Sequence, residues 1–237
     1  MLEQAALRRI ATLVAQGVQP HVFFGVVAEE VGRVVDASSV GVARYESDGT
    51  ATVCGAFPSH DPPFRTGTRI SLDGDSVLSL LQEHAASVRV DNYDELEGEI
   101  ADAIRRSGMR SSVGVPIIVA GRVWGAIVAS NTERLPKNTG ARLAEFTELL
   151  AAAIANTEAG EARAQLADEQ AALRRVATLV AQGAAPADVF AAVSTEVDRV
   201  FGLDPATLDV AAIGRFEPGP ELVVFGISKT VEAVPLG

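Results

Sequence analysis

A chain of 237 residues, 48% of them apolar, is long enough for one or two domains with a buried core. Its net charge of −11 argues against a nucleic-acid surface and against attraction to anionic lipid, and its single cysteine excludes an intrachain disulfide and any CxxC metal or redox motif. No apolar run approaches the ~18 residues that a membrane helix needs and no charged-then-apolar leader opens the chain, so the expectation is a cytoplasmic protein without membrane insertion.

In chain order, Leu2–Gln16 and His21–Val35 read as helices, with Gly17 as a stop signal and Pro20 as a start signal. The second sets Val22, Phe23, Val26, Val27, Val31 and Val34 on one apolar face. Strands at Ser39–Tyr45 and Thr50–Phe57 turn at Asp48-Gly49. Pro58–Gly67 is a proline-rich surface loop, and Thr68–Leu72 is a short strand. Asp75 or Ser76 caps a helix through His84, and Ser87–Val90 is strand again. Tyr93–Arg106 runs from acidic to basic, the direction its dipole favours, and Gly108 closes it.

Met109–Val119 and Arg122–Asn131 then pair around Ala120-Gly121. Small or apolar residues occupy both faces of this pair, which places it centrally in a covered sheet. Helices are expected on one side of that sheet and irregular segments on the other. The fold class is α+β, built on an antiparallel sheet of about six strands.

Asn138–Gly183 has no interior proline and is rich in alanine, leucine, glutamate and arginine, so it reads as one long helix or two nearly collinear ones. Such a helix would span roughly 65–70 Å. Leu143, Phe146, Leu150 and Ile154 begin an apolar stripe, and Leu166, Leu173 and Val180 continue it at intervals of seven. That spacing suits a partner helix, so a homodimer through the long helices is expected.

The second half of this helix also repeats the start of the chain. Residues 3–35 and 169–201 are identical at 21 of 33 positions, which marks an internal repeat. The match continues more weakly from Gly41 and from Ala212 as strand, turn and strand, the later turn falling at Pro218-Gly219. The expected organisation is a complete domain over 1–158, a connecting helix over 138–183 and an incomplete second copy over 169–237. In that copy Asp204–Gly237 should be poorly held, with Leu222–Ile227 exposing a strand edge.

The run RSSVGVPIIVAGRVWGAIVASNT (Arg110–Thr132), followed by a proline-containing turn and the helix ARLAEFTELLAAAIANTEA, resembles the end of a GAF domain. The likeness covers about residues 5–157, with a half copy from about 171. LDGDSV, RSSVGVPI and the helix wording are similar to the tandem-GAF sensory region of actinobacterial-type sensor histidine kinases. No histidine lies on the C-terminal helix and no Gly-rich ATP-lid segment follows, so neither kinase part is in this chain and no enzyme is expected.

The resemblance implies several chemistries, and the residues oppose most of them. The asparagine-lysine-phenylalanine-aspartate-glutamate signature of cyclic-nucleotide binders is missing. Bilin binders use a cysteine beside a histidine, whereas Cys54 is followed by Gly55 and reads as a small buried residue; the reductase members need more than one cysteine. Haem or iron would need an axial histidine or a histidine/carboxylate set, and His21, His60 and His84 read as surface residues, His84 preceding a segment that borders the family's usual pocket. Asp91, Asp94, Glu95, Glu97 and Glu99 lack calcium-loop spacing and read as a solvated helix start, and Asp73-Gly74-Asp75 reads as a turn and cap. No cofactor, metal or catalytic residue is predicted.

What remains is the pocket that the fold implies between one sheet face and its covering segments. By position its lining is Phe57, Phe64, Leu78, Tyr93, Ile104, Met109, Ser112, Val128 and Ser130, with Tyr93, Ser112 and Ser130 as polar anchors. The expected function is a sensory module that binds a small effector there and relays it through the dimeric helices. The alternative is a ligand-free dimerisation and relay scaffold.

Overall fold

Side chains alternate along the strands of the first half and so divide between two cores, one on each face of a single sheet. The computed structural model describes residues 2–58, 64–201, 211–216 and 222–228, and the chain divides into two units, Met1–Glu158 and Ala159–Gly237. In the first unit α1 (Leu2–Ala15) and α2 (Pro20–Val35) precede β1 (Ser39–Tyr45), β2 (Thr50–Phe57) and β3 (Arg69–Ser71). Next come α3 (Val77–His84), β4 (Val88–Val90), α4 (Glu99–Arg106), β5 (Ser111–Val119) and β6 (Arg122–Asn131). The 43-residue α5 (Thr139–Ala181) begins in this unit. The six strands form an antiparallel sheet in the order β3-β2-β1-β6-β5-β4, an α+β architecture.

Val40 and Val42 of β1, Val113, Val115 and Ile117 of β5, and Ile127 of β6 face one core. Val27 and Val31 of α2 meet them there, as do Leu143, Phe146 and Leu150 of α5. Phe24 of α2 stacks on Trp124 of β6 with centroids 5.5 Å apart. The opposite face carries Ala43, Val53, Ile70 and Ala126, under Val77, Leu78 and Leu81 of α3 and Ile100 and Ile104 of α4. Two short helices therefore cover the face where irregular segments were expected. Ser76 is the cap of α3: its hydroxyl accepts from Ser79 N at 3.0 Å while Ser79 Oγ accepts from Ser76 N at 2.9 Å.

The helix expected from Tyr93 starts only at Glu99. Asn92 Oδ1 accepts from Asp94 N at 3.1 Å, which favours a turn, and Arg105 donates to the carbonyls of Tyr93 and Leu96 at 2.6 and 2.8 Å. Gly98, with φ 121°, makes the entry to α4.

β2 carries a bulge. Val42 pairs with Gly55 and Ala43 with Val53, so Cys54 is the extra residue. The bulge reverses which face later residues meet. Gly55 lies against α2 so closely that a Cβ would come within 2.4 Å of the Phe24 carbonyl group, which only glycine permits.

The second unit holds the rest of α5, α6 (Pro186–Phe201), β7 (Ala212–Phe216) and β8 (Leu222–Ile227). Two features of its described residues match the first unit. Arg9 donates to Glu30 at 2.9 Å, and 166 residues on Arg175 donates to Glu196 at 2.8 Å. β7 and β8 share the bulge, with Ile213 paired to Gly226 and Gly214 to Val224, and a Cβ on Gly226 would meet the Phe190 carbonyl at 2.5 Å. Val224 and Ile227 of β8 are about half exposed. The Pro218-Gly219 turn and most of Asp204–Gly237 lie outside the described residues, so the expectation of a poorly held segment is not addressed by them.

Candidate ligand pocket

Strand register builds the site. Ser39 of β1 stands opposite Ser130 of β6, and Ser130 opposite Ser112 of β5, so three serines form one row across adjacent strands. In the next row Gly41 faces Val128, and Val128 faces Gly114. Gly41 leaves open room above the sheet, whereas Leu81 and Val77 of α3 fill the space over Gly114. Tyr93, three residues beyond Val90 at the end of β4, is buried beside Ser112 in the serine row.

The resulting cavity holds about 60 Å³ and lies between the sheet and α3 and α4. Ligand pockets for drug-sized molecules run to roughly 300–1,000 Å³, and a single water needs roughly 10–15 Å³. The space therefore suits a few heavy atoms. None of the described residues lining it is charged. Ser112 Oγ and Ser130 Oγ are hydrogen-bonded at 2.7 Å, fully inside the protein. Burial pushes the Tyr93 phenol up to about 12, with Ser112 offsetting part of the shift, so Tyr93 is a neutral hydroxyl at ordinary pH. Beside the cavity, Tyr45 Oη donates to Leu78 O at 2.7 Å and fixes α3 to the sheet.

Seven of the nine residues expected from the sequence line this cavity: Phe64, Leu78, Ile104 and Val128 among the apolar ones, and Tyr93, Ser112 and Ser130. Phe57 does not, because the bulge turns it to the helix face, where its ring lies against Gly32 of α2. Met109 packs at the edge of the second core without reaching the lining. Sequence reasoning missed, among others, Ser39, Gly41, Val53, Ile70 and Ile100. The alternation Ser39, Gly41, Ala43 and the four-residue spacing of Ile100 and Ile104 carried the signal for three of them.

The reactive groups weighed from the sequence sit elsewhere. Cys54 packs against the core on the opposite face, and burial raises its pKa, so it is a thiol. His84 is exposed in the last turn of α3, its Nδ1 2.9 Å from Leu80 O. His60 and the side chain of His21 lie outside the described residues. Asp91 pairs with Arg134 and Arg89, which hold its carboxyl below the usual range, Arg134 contributing most. Among the described residues no group of three histidine, cysteine or carboxylate side chains is placed to hold a metal.

One side of the pocket is tied to α5. Ser111 Oγ donates to Glu133 O at 2.6 Å and accepts from Leu135 N at 3.1 Å. Arg89 of β4 donates to Leu135 O at 3.0 Å and to Pro136 O at 2.6 Å, and the Thr139 hydroxyl at the start of α5 donates to the same Pro136 carbonyl at 2.8 Å. Strands β4 and β5 thus grip the segment that leads into the long helix.

The GAF domain model matches residues 19–157, more than half of the chain. The chain belongs to the GAF family. No curated protein matches it. Among solved structures the chain is similar in fold to the phycoerythrobilin-bound GAF domain from a cyanobacterial phytochrome, at 17% identity and a TM-score of 0.56, covering 67% of this chain and 97% of that one. The GAF domain of an Acinetobacter phosphoenolpyruvate-protein phosphotransferase is similar at 17% identity and a TM-score of 0.55, covering 68% and 98%. Bacteriophytochrome RpBphP3 from R. palustris matches 94% of this chain over 48% of its own length, at 14% identity and a TM-score of 0.68. GAF domains are sensory and regulatory domains, some of which bind bilins. No helix among the described residues is long and apolar enough to cross a membrane.

Proposed function

We propose that the first unit is the non-catalytic sensory domain of a cytoplasmic signalling protein, in which a small uncharged effector occupies the cavity and biases α5. One observation carries this reading: Ser112 faces the cavity while its neighbour Ser111 holds the Glu133–Leu135 segment that leads into α5. Filling the cavity would shift β5 against that segment and change the balance between two packings of the long helices.

The output is a homodimer through α5. Leu166, Leu173 and Val180 stay 55%, 71% and 58% exposed at intervals of seven, as a two-helix seam requires. Residues 169–237 form a second GAF-like repeat, a reading that the repeated Arg–Glu pair and glycine contact support. The parent system is a two-component histidine kinase of actinobacterial type, on the strength of the sequence likeness. A bilin is not the proposed ligand, because Cys54 lies on the far face and about 60 Å³ is far too little for a tetrapyrrole.

The test is native mass spectrometry of the protein purified from its own host, first gentle and then denaturing. A reproducible non-covalent mass that disappears on denaturation is the expected result. A clean dimer with nothing bound would instead favour the second reading, a ligand-free relay scaffold, for which the small cavity speaks.

A further inference from the structure

The hydroxyls of the cavity have an unbalanced proton count. Ser112, Ser130 and Tyr93 carry three hydroxyl protons, and the Ser112–Ser130 bond uses one of them. Even with Tyr93 also bonded to Ser112, one proton has no acceptor within the trio. Ser39 adds a fourth hydroxyl one strand away, in register with Ser130. The rest of the lining is apolar, with Val53, Ile70, Leu78 and Ile104 among it.

These features select among ligands. A charged ligand would lie in an apolar site with no counter-charge among the described lining, at a large desolvation cost. A wholly hydrocarbon ligand would leave the spare hydroxyl unpaired once water is expelled. A neutral molecule with one acceptor oxygen meets both conditions. Resting on the reading of this cavity as an effector site, we infer that it takes a compact neutral ligand bearing a carbonyl or similar acceptor. The oxygen sits at the Ser112–Ser130–Tyr93 hydroxyls and the apolar remainder lies against Val53, Ile70, Leu78 and Ile104. About 60 Å³ limits the part enclosed to a handful of heavy atoms.

The polar end would bind on β5, the strand whose next residue, Ser111, grips the lead-in to α5. Recognition of the acceptor and relay to the helix would then share one strand.

The experiment compares acetone with isobutene, its isostere in which CH2 replaces the oxygen, by following amide chemical shifts of Gly41, Ser112 and Ser130 in the full chain. Acetone is expected to saturate these shifts. The double variant Ser112→Ala/Ser130→Ala should weaken acetone roughly five- to tenfold while leaving isobutene unchanged or tighter. Tyr93→Phe gives an independent measurement in the same direction if the double variant does not fold. Equal loss, or no loss, for both probes would overturn the acceptor inference and leave the pocket standing. Failure of both probes to move the cavity amides would overturn the pocket reading together with the inference, and shifts with isobutene alone would overturn the inference only.

Discussion

Ser111 and Ser112 are adjacent on β5 and serve opposite purposes. Ser112 closes a hydrogen bond with Ser130 inside the cavity, and Ser111, with no exposed surface, bridges Glu133 O and Leu135 N. Replacing Ser111 by alanine leaves two main-chain groups without their partner in a buried place. Ser111→Ala should cost about 1–3 kcal/mol in urea unfolding and speed amide exchange at Leu135 and the first turn of α5. Unchanged exchange at Leu135 would show that Ser111 does not hold the segment.

Both tyrosines of the chain are shielded, and burial raises the pKa of each, Tyr93 to about 12. The folded state therefore holds the Tyr93 proton more tightly than the unfolded chain, whose phenol ionises near pH ~10. That contribution is complete below pH ~10 and is lost as pH rises towards about 12. An ultraviolet titration should show little tyrosinate at pH ~10 in the folded protein. The unfolding midpoint should fall above pH ~10, and less steeply in Tyr93→Phe.

The strands and most of the cavity were legible because alternation is a local property. β1, β2 and β6 fall at the expected residues, and parity alone puts Ser112, Val128 and Ser130 in the cavity. Phe57 was misplaced because the extra residue Cys54 reverses parity after Val53, and a bulge has no distinctive composition here. The segment after Tyr93 looked helical in charge pattern, but Arg105, reaching back to two carbonyls, holds it as a turn. Such a contact is set by the tertiary fold and leaves no local signature.

The bulge makes a paired prediction. In Gly55→Ala the new methyl would meet the main chain of Phe24, and in Gly226→Ala that of Phe190, and main chain cannot rotate away as a side chain can. Each substitution should cost about 1–3 kcal/mol. Hydrogen exchange should locate the first loss at α2 and the second at α6. A loss confined to one of them would mean that the two repeats do not share this packing.

Leu173 is the most exposed of the three heptad-spaced residues on α5. Leu173→Glu would place a charge in the seam of the proposed dimer, where like charges from two chains would face each other. Sedimentation equilibrium should show a dimer for the parent chain and a monomer for this variant. The first unit should keep its unfolding midpoint, because Leu173 lies in the other unit. A parent chain that sediments as a monomer would remove the dimeric relay.

Gly41 separates a ligand-binding cavity from a merely imperfect core. It lies on the cavity wall, and a Cβ built there meets nothing within 4 Å. Alanine also suits a strand better than glycine. Gly41→Ala should therefore leave stability within about 0.5 kcal/mol of the parent or raise it slightly, while its methyl takes up room in a space of only about 60 Å³. If the cavity exists to hold an effector, that variant should unfold normally yet lose the bound mass and the effector-dependent change in exchange along α5. A variant that stays fully responsive would place the sensing step elsewhere and leave the cavity as a packing defect.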